Sequence, residues 1–179
     1  MPPDADTLRP RTGRTGRSLA LALLACASIW PAALLAQDAC DGVAPAPVLK
    51  QVNAARAKGL RCGGDGPVQP SNALAWSPLL ARAAQQQADW LARHGLLVHT
   101  GPRGESLPTR VAAAGYRHAR VGENLAAGQD GVVGALRAWE ASASHCRTLV
   151  DPRFTETALA CATGLDGEPF WVLLLGRPL

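Results

Sequence analysis

Four cysteines, Cys40, Cys62, Cys146 and Cys161, constrain this 179-residue chain more than any other feature. They follow an export-like leader, and an even cysteine count in an exported protein reads as two disulfides. No C-x-x-C pair occurs, so the spacings do not resemble a zinc knuckle. Four cysteines allow three connectivities, and spacing alone does not choose among them. A bridge from Cys62 to Cys146 would close a loop of more than 80 residues, worth about 4–5 kcal/mol by chain entropy. Whatever the pairing, the fold must bring distant parts of the chain together.

The leader is legible in residues 1–36. Arg9, Arg11, Arg14 and Arg17 form a basic start, and SLALALLACASIWPAALLA follows as an apolar core. This is the n-region and h-region of a secretory signal, and cleavage is expected after Ala36. A membrane anchor fits less well, because Pro31 interrupts the run. The alternative is the stretch LLAC, which resembles a lipoprotein box and would leave an envelope lipoprotein anchored at Cys26. The mature chain is therefore expected to be secreted or periplasmic, without a membrane span. Removing the leader takes away four arginines and two aspartates, so a net charge of +4 falls to +2. No basic run remains to argue for nucleic acid.

The remaining 143 residues suffice for one domain with a single core. Residues 37–47 are a proline-containing lead-in, and the domain is expected to span 48–179. In VLKQVNAARAKG, Val48, Leu49, Val52 and Ala55 share a helical face that ends at Gly59. RCGGDGPVQPSN is a loop by composition. A strong helix follows, with Ser77 as N-cap, Pro78 at its first position, and Leu80, Ala84, Gln87 and Leu91 at helical spacing. His94 and Gly95 end it, and a short helix, LPTRVAAAG, is expected between Ser106 and Gly115. In DGVVGALRAWEAS, Val132, Val133, Leu136 and Trp139 are expected to face the core. TALACATG and FWVLLLG, joined by LDGEP, read as a β-hairpin. Helices first and a hairpin last predict an α/β layered domain.

Few side chains can carry chemistry. Glu123, in VGENLAAG, sits at the edge of an apolar run and needs a partner there. His99 and His145 lie beyond helices beside small residues, on segments separated from Glu123 by 24 and 22 residues. The three could converge on one cleft. His94 reads as a helix-terminus dipole partner and His118 as a solvated loop residue. Trp76, Trp90, Trp139 and Trp171 read as core anchors rather than a sugar platform. Ser142 and Ser144 stand near His145, but no G-x-S-x-G elbow accompanies them. HTGPRGES lacks the lysine and spacing of a phosphate loop.

VNAARAKGLRCG, LAWSPLLARAAQQQADW, VHTGPRGESLPTRVAAAGY, VGENLAAG and AWEASASHCRTLVDPRFTE occur in this order. Together they resemble the CAP superfamily of cysteine-rich secretory proteins, antigen 5 and pathogenesis-related proteins, in its bacterial SCP-like branch. The resemblance covers about residues 48–176 and implies a three-layer α-β-α sandwich in a single domain. It implies a cleft lined by His99, Glu123 and His145, with Asn124 and Ser142 beside them. The fourth group of the family pattern is an acid, and its position holds Ser142. Glu140 lies two residues away, about 200° round the helix. The resemblance further implies the pairing Cys62–Cys146, which leaves Cys40–Cys161.

Three functions fit these residues. The first is a secreted binding module, for which the resemblance implies a small apolar ligand such as a sterol or fatty acid, an ion, or an envelope component. The second is a metal-dependent hydrolase acting on peptide or cell-wall substrate. There His99, Glu123 and His145 would hold zinc or another divalent metal, as two histidines and a carboxylate do in known catalytic sites. The third is a structural envelope protein whose Glu123 accepts hydrogen bonds from both histidines and ties loops together. No H-E-x-x-H motif occurs, so the metal-free readings come first and an enzyme is the less expected outcome. A monomer is expected throughout.

Overall fold

A computed structural model of the chain describes residues 39–41, 43–64 and 66–179. The expected signal, its cleavage site and Cys26 lie outside the described residues. The elements run α1 (Pro45–Ala57), β1 (Ala75–Trp76), α2 (Pro78–His94), α3 (Leu107–Ala113), β2 (His118–Ala127), α4 (Gly131–Ala141), α5 (Ala143–Val150), β3 (Glu156–Thr163) and β4 (Pro169–Pro178). The strands form one sheet in the order β1-β3-β4-β2. β1 is parallel to β3, and the other pairs are antiparallel.

The hairpin sequence explains the middle of that sheet. In β4, Phe170 through Leu175 are all buried, and alternate residues point to opposite faces. Trp171, Leu173 and Leu175 join a core with Val48 and Val52 of α1, Leu136 and Trp139 of α4, and Leu149 of α5. Phe170, Val172 and Leu174 join a second core with Leu80, Ala84, Ala88 and Leu91 of α2 and Val111 of α3. A continuous apolar strand of this kind needs cover on both sides. The two helical layers supply it, so the chain is an α-β-α sandwich. Each fully buried Leu contributes about 1.5–3 kcal/mol.

The helices follow their sequence signals. The Ser77 hydroxyl accepts from the Leu80 amide, and Pro78 opens α2. Gly95 closes it in the left-handed region at φ 61°, where a side chain would be strained. α1 begins at Pro45, three residues before the expected face. In α4, Val133 is 44 % exposed, contrary to expectation, and Ala135 takes the inward position. The i, i+1 spacing put both valines on the wide edge of the stripe, and only Val132 turns inward.

Two differences matter for function. His145 does not lie beyond a helix; it occupies the first turn of α5, which starts where α4 ends. Ser142 is both the C-cap of α4 and the N-cap of α5, and its carbonyl accepts from the Cys146 amide at 2.8 Å. VGENLAAG is part of a strand, β2, which begins at His118, so His118 is not a loop residue. Glycine, asparagine and glutamate are poor strand formers, and pairing with β4 overrides that preference.

The disulfides are Cys40–Cys161 and Cys62–Cys146. The second fastens the loop after α1 to α5. At the C-terminal end of α5, Arg56 lies fully buried in α1 and donates to the carbonyls of Leu149 at 2.7 Å and Asp151 at 3.1 Å. The helix end leaves the Leu149 carbonyl without an intrahelical partner, so α5 is held at Cys146, in its middle, and at its C-terminal end. Among the described residues, no helix is long and apolar enough to cross a membrane.

Candidate functional site

β2 presents its residues alternately. Leu125 packs with α2 and α3, and Ala126 with α1 and α4. The same alternation sends Glu123 and Asn124 to opposite sides of the strand. Glu123 therefore meets the segment after α2, and Asn124 meets α5. β2 has only β4 as a strand partner among the described residues, so both sides converge at its edge.

Glu123 is held by two donors. Its Oε1 accepts from Nδ1 of His99 at 2.8 Å, and its Oε2 accepts from Nη2 of Arg110 at 2.7 Å. The Glu123 side chain is 2 % exposed and that of Arg110 8 %, whereas His99 is 63 % exposed. The expected hydrogen bond from His145 to Glu123 is not among these contacts. His145 approaches from the other side of β2, and Arg110 of α3 fills the second place. Arg110 was not singled out from the sequence. Its signal is its place as a cation on the short helix between His99 and Glu123.

The segment carrying His99 is fastened to the α2/α3 layer. Gln87, 1 % exposed, donates through Nε2 to the carbonyls of Val98 and Thr100, each at 3.1 Å. Arg110 Nη2 also reaches the His99 carbonyl at 3.1 Å. A Cβ at Gly101 would stand 2.8 Å from Cδ of Arg110, so the residue after His99-Thr100 must be small for the arginine to pass.

On the opposite side, fully buried Asn124 donates to the His145 carbonyl at 2.9 Å. Its Oδ1 has no hydrogen-bond partner among the described residues. Ser142 is half-buried and lies 3.5 Å, hydroxyl to hydroxyl, from Ser144. The indole of Trp139 donates to the Leu125 carbonyl at 2.9 Å, locking α4 to β2.

The two imidazoles differ in charge preference. The hydrogen bond to Glu123 raises the pKa of His99, its carboxylate charge adding to the effect; burial and the Arg110 charge oppose it. Burial lowers the pKa of His145, and the charge of His99 lowers it further. The two imidazoles are thus shifted in opposite directions, His99 toward the charged form and His145 toward the neutral one.

As a three-ligand metal centre the residues do not fit. Each Glu123 oxygen already accepts from a guanidinium or imidazole donor, so a cation would have to displace one of them. Among the described residues, no group of three or more His, Cys, Asp or Glu side chains could hold a metal ion. A cavity of about 360 Å³ opens between α2 and α3, lined by Arg110 and Gln87 but not by His99 or His145.

The sequence matches the CAP, or cysteine-rich secretory protein, family over residues 49–175. No curated protein matches it. Among solved structures, the fold is similar to an extracellular SCP-domain protein from Bacillus anthracis (TM-score 0.61, 21% identity), over 73% of this chain and 39% of that one. The chain thus spans well under half of that protein's length. It is also similar to an outer surface protein of Borrelia burgdorferi (TM-score 0.58, 19% identity), covering 76% of this chain and 97% of that one. A third similar structure is NaASP2 with Zn2+ (TM-score 0.53, 14% identity), covering 78% and 82%.

Proposed function

The chain belongs to the CAP family, and from that premise we propose that it is an exported binding module. Its recognition cleft lies at the β2 edge, bordered by His99, Glu123, His145, Asn124 and Ser142, with Arg110 supporting it. The observation that carries this reading is an exposed imidazole, His99, held by a buried carboxylate and a buried guanidinium. Such a group is oriented before any ligand arrives, which lowers the entropic cost of binding. Glu123 is committed to two donors and no activated nucleophile stands beside the histidines, so recognition fits the geometry better than hydrolysis. The occupant is a small apolar ligand with a polar end, or an envelope component, met by His99, whose pKa is raised, on one side and by His145, whose pKa is lowered, on the other.

Two disulfides support an oxidising compartment. The leader is removed after Ala36 to give a secreted or periplasmic domain, and lipidation at Cys26 is the competing route.

Native mass spectrometry of protein purified from an envelope fraction tests both points. The expected species begins at Gln37, carries two disulfides and retains a non-covalent adduct. The His99→Ala/His145→Ala variant should lose the adduct while keeping a parent-like circular-dichroism spectrum; its melting temperature falls because Glu123 loses one of its two donors. An adduct retained equally by both proteins would overturn the cleft assignment.

A further inference from the structure

The cavity between α2 and α3 stands apart from the cleft and shares with it one residue, Arg110. At about 360 Å³ it falls at the small end of the roughly 300–1,000 Å³ usual for small-molecule sites. Two deeply buried polar side chains line it with bonding capacity left over. Arg110 spends Nη2 on Glu123 and the His99 carbonyl, while its Nε and Nη1 have no hydrogen-bond partner among the described residues. Gln87 spends Nε2 on the 98–100 segment, while its Oε1 has none. Unmet buried donors and acceptors cost about 1–3 kcal/mol each. The orphan atoms have almost no accessible surface, so a small rotation of either side chain toward the cavity it lines is what lets an incoming molecule restore the bonds.

The lining dictates the chemistry of that molecule. Two cationic donors call for an anionic oxygen, and an orphan amide oxygen calls for an O–H or N–H close to it. Arg103 is already matched by Glu105 at 2.7 Å, and Asp89 already accepts from Gln85 at 2.8 Å. Arg110 is likewise matched by Glu123, so Arg93, without an ion pair among the described residues, supplies the charge that attracts the anion, and Arg110 offers its two remaining N–H donors. Ala83, Trp90 and Ala113 supply an apolar wall. We propose that the α2/α3 cavity binds a small amphipathic carboxylate bearing a hydroxyl or amide N–H beside its carboxyl group, through Arg110 and Gln87. This site does not depend on the cleft having an occupant.

Because Arg110 also holds Glu123, a bound carboxylate reports itself at His99. Arg110's charge depresses the His99 pKa, and a bound anion that screens that charge lets His99 titrate higher. The test is an NMR titration of the protein with N-hexanoylglycine, following the His99 imidazole, with the methyl ester of the same compound as control. Saturable binding is expected with a dissociation constant at or below about 1 mM, with the ester at least about tenfold weaker. The His99 titration midpoint should rise in the bound form. Ala113 is exposed at the cavity rim, so Ala113→Trp should fill the space without disturbing the core. That variant should lose binding while its His99 titration without probe matches the parent protein. The His99→Ala/His145→Ala variant, followed through the Trp90 indole signal at the cavity wall, should still bind the probe, which separates failure of this site from failure of the cleft. No binding, equal binding of the ester, or undiminished binding by Ala113→Trp would each overturn the proposal.

Discussion

A carboxylate whose side chain is 2 % exposed persists at Glu123 because donors from two separate segments reach its two oxygens. Burying it alone would cost several kcal/mol. Arg110 is buried with it, so removing either partner strands the other. Arg110→Ala should destabilise the protein by about 3–5 kcal/mol in chemical denaturation. Combining Arg110→Met with Glu123→Leu should recover much of that loss, since an apolar pair of similar volume needs no partner. An additive double variant would show that the two side chains do not act as a pair. His99 makes a pH prediction. Its folded pKa is raised, so its contribution to stability is fully present below the unfolded value and is lost as pH rises through the folded one. His145, with a lowered pKa, acts in the opposite sense and contributes above its unfolded value. The stability of the parent protein minus that of His99→Asn should therefore grow as pH falls from 8 to about 5.5. A difference independent of pH would mean that the Glu123 hydrogen bond does not favour the charged imidazole.

At the scale of elements, the helices were largely readable and β2 was not. Proline and serine at the start of α2 and glycine at its end act through local backbone geometry, which sequence carries directly. β2 exists because β4 offers it a ladder of hydrogen bonds, and its polar residues bond off the sheet, Glu123 to His99 and Arg110 and Asn124 to the His145 carbonyl. Gly122 illustrates the demand. A Cβ there would stand 2.8 Å from the ring of Phe154 and 3.2 Å from Thr148, so β2 and α5 can approach only over a glycine. Gly122→Ala should cost about 1–3 kcal/mol by overpacking and should shift the NMR signals of α5, His145 included. A neutral substitution would mean that Phe154 moves aside freely.

For the whole molecule, two disulfides join parts of the chain 84 and 121 residues apart, and both lie on the α1/α4/α5 side of the sheet, while Gln87 and Arg110 hold the His99 segment on the other. Cys62–Cys146 anchors the helix carrying His145, as Arg56 does at its C-terminal end. Cys40–Cys161 fastens the segment before α1 to β3. The site is thus built from two halves, one on each side of the sheet, each fixed to its own helical layer. That division explains why His99 and His145 flank β2 without sharing Glu123. It also leaves the α2/α3 cavity joined to the His99 segment and Glu123 through Arg110 and Gln87.

The sequence alone determined the class of fold, the hairpin at its centre, the main helix boundaries and the presence of two bridges' worth of cysteine. These follow from periodicity, caps and composition, which act over a few residues. It also marked His99, Glu123 and His145 as the side chains to watch. Only the tertiary structure decided what each of them faces. The partner of Glu123 lies on another element, and the two-residue period of a strand sends neighbours 123 and 124 to opposite layers. A one-dimensional spacing holds no record of which layer a loop returns to, so Arg110 and the cavity beside it became visible only once the sheet was closed between its helices.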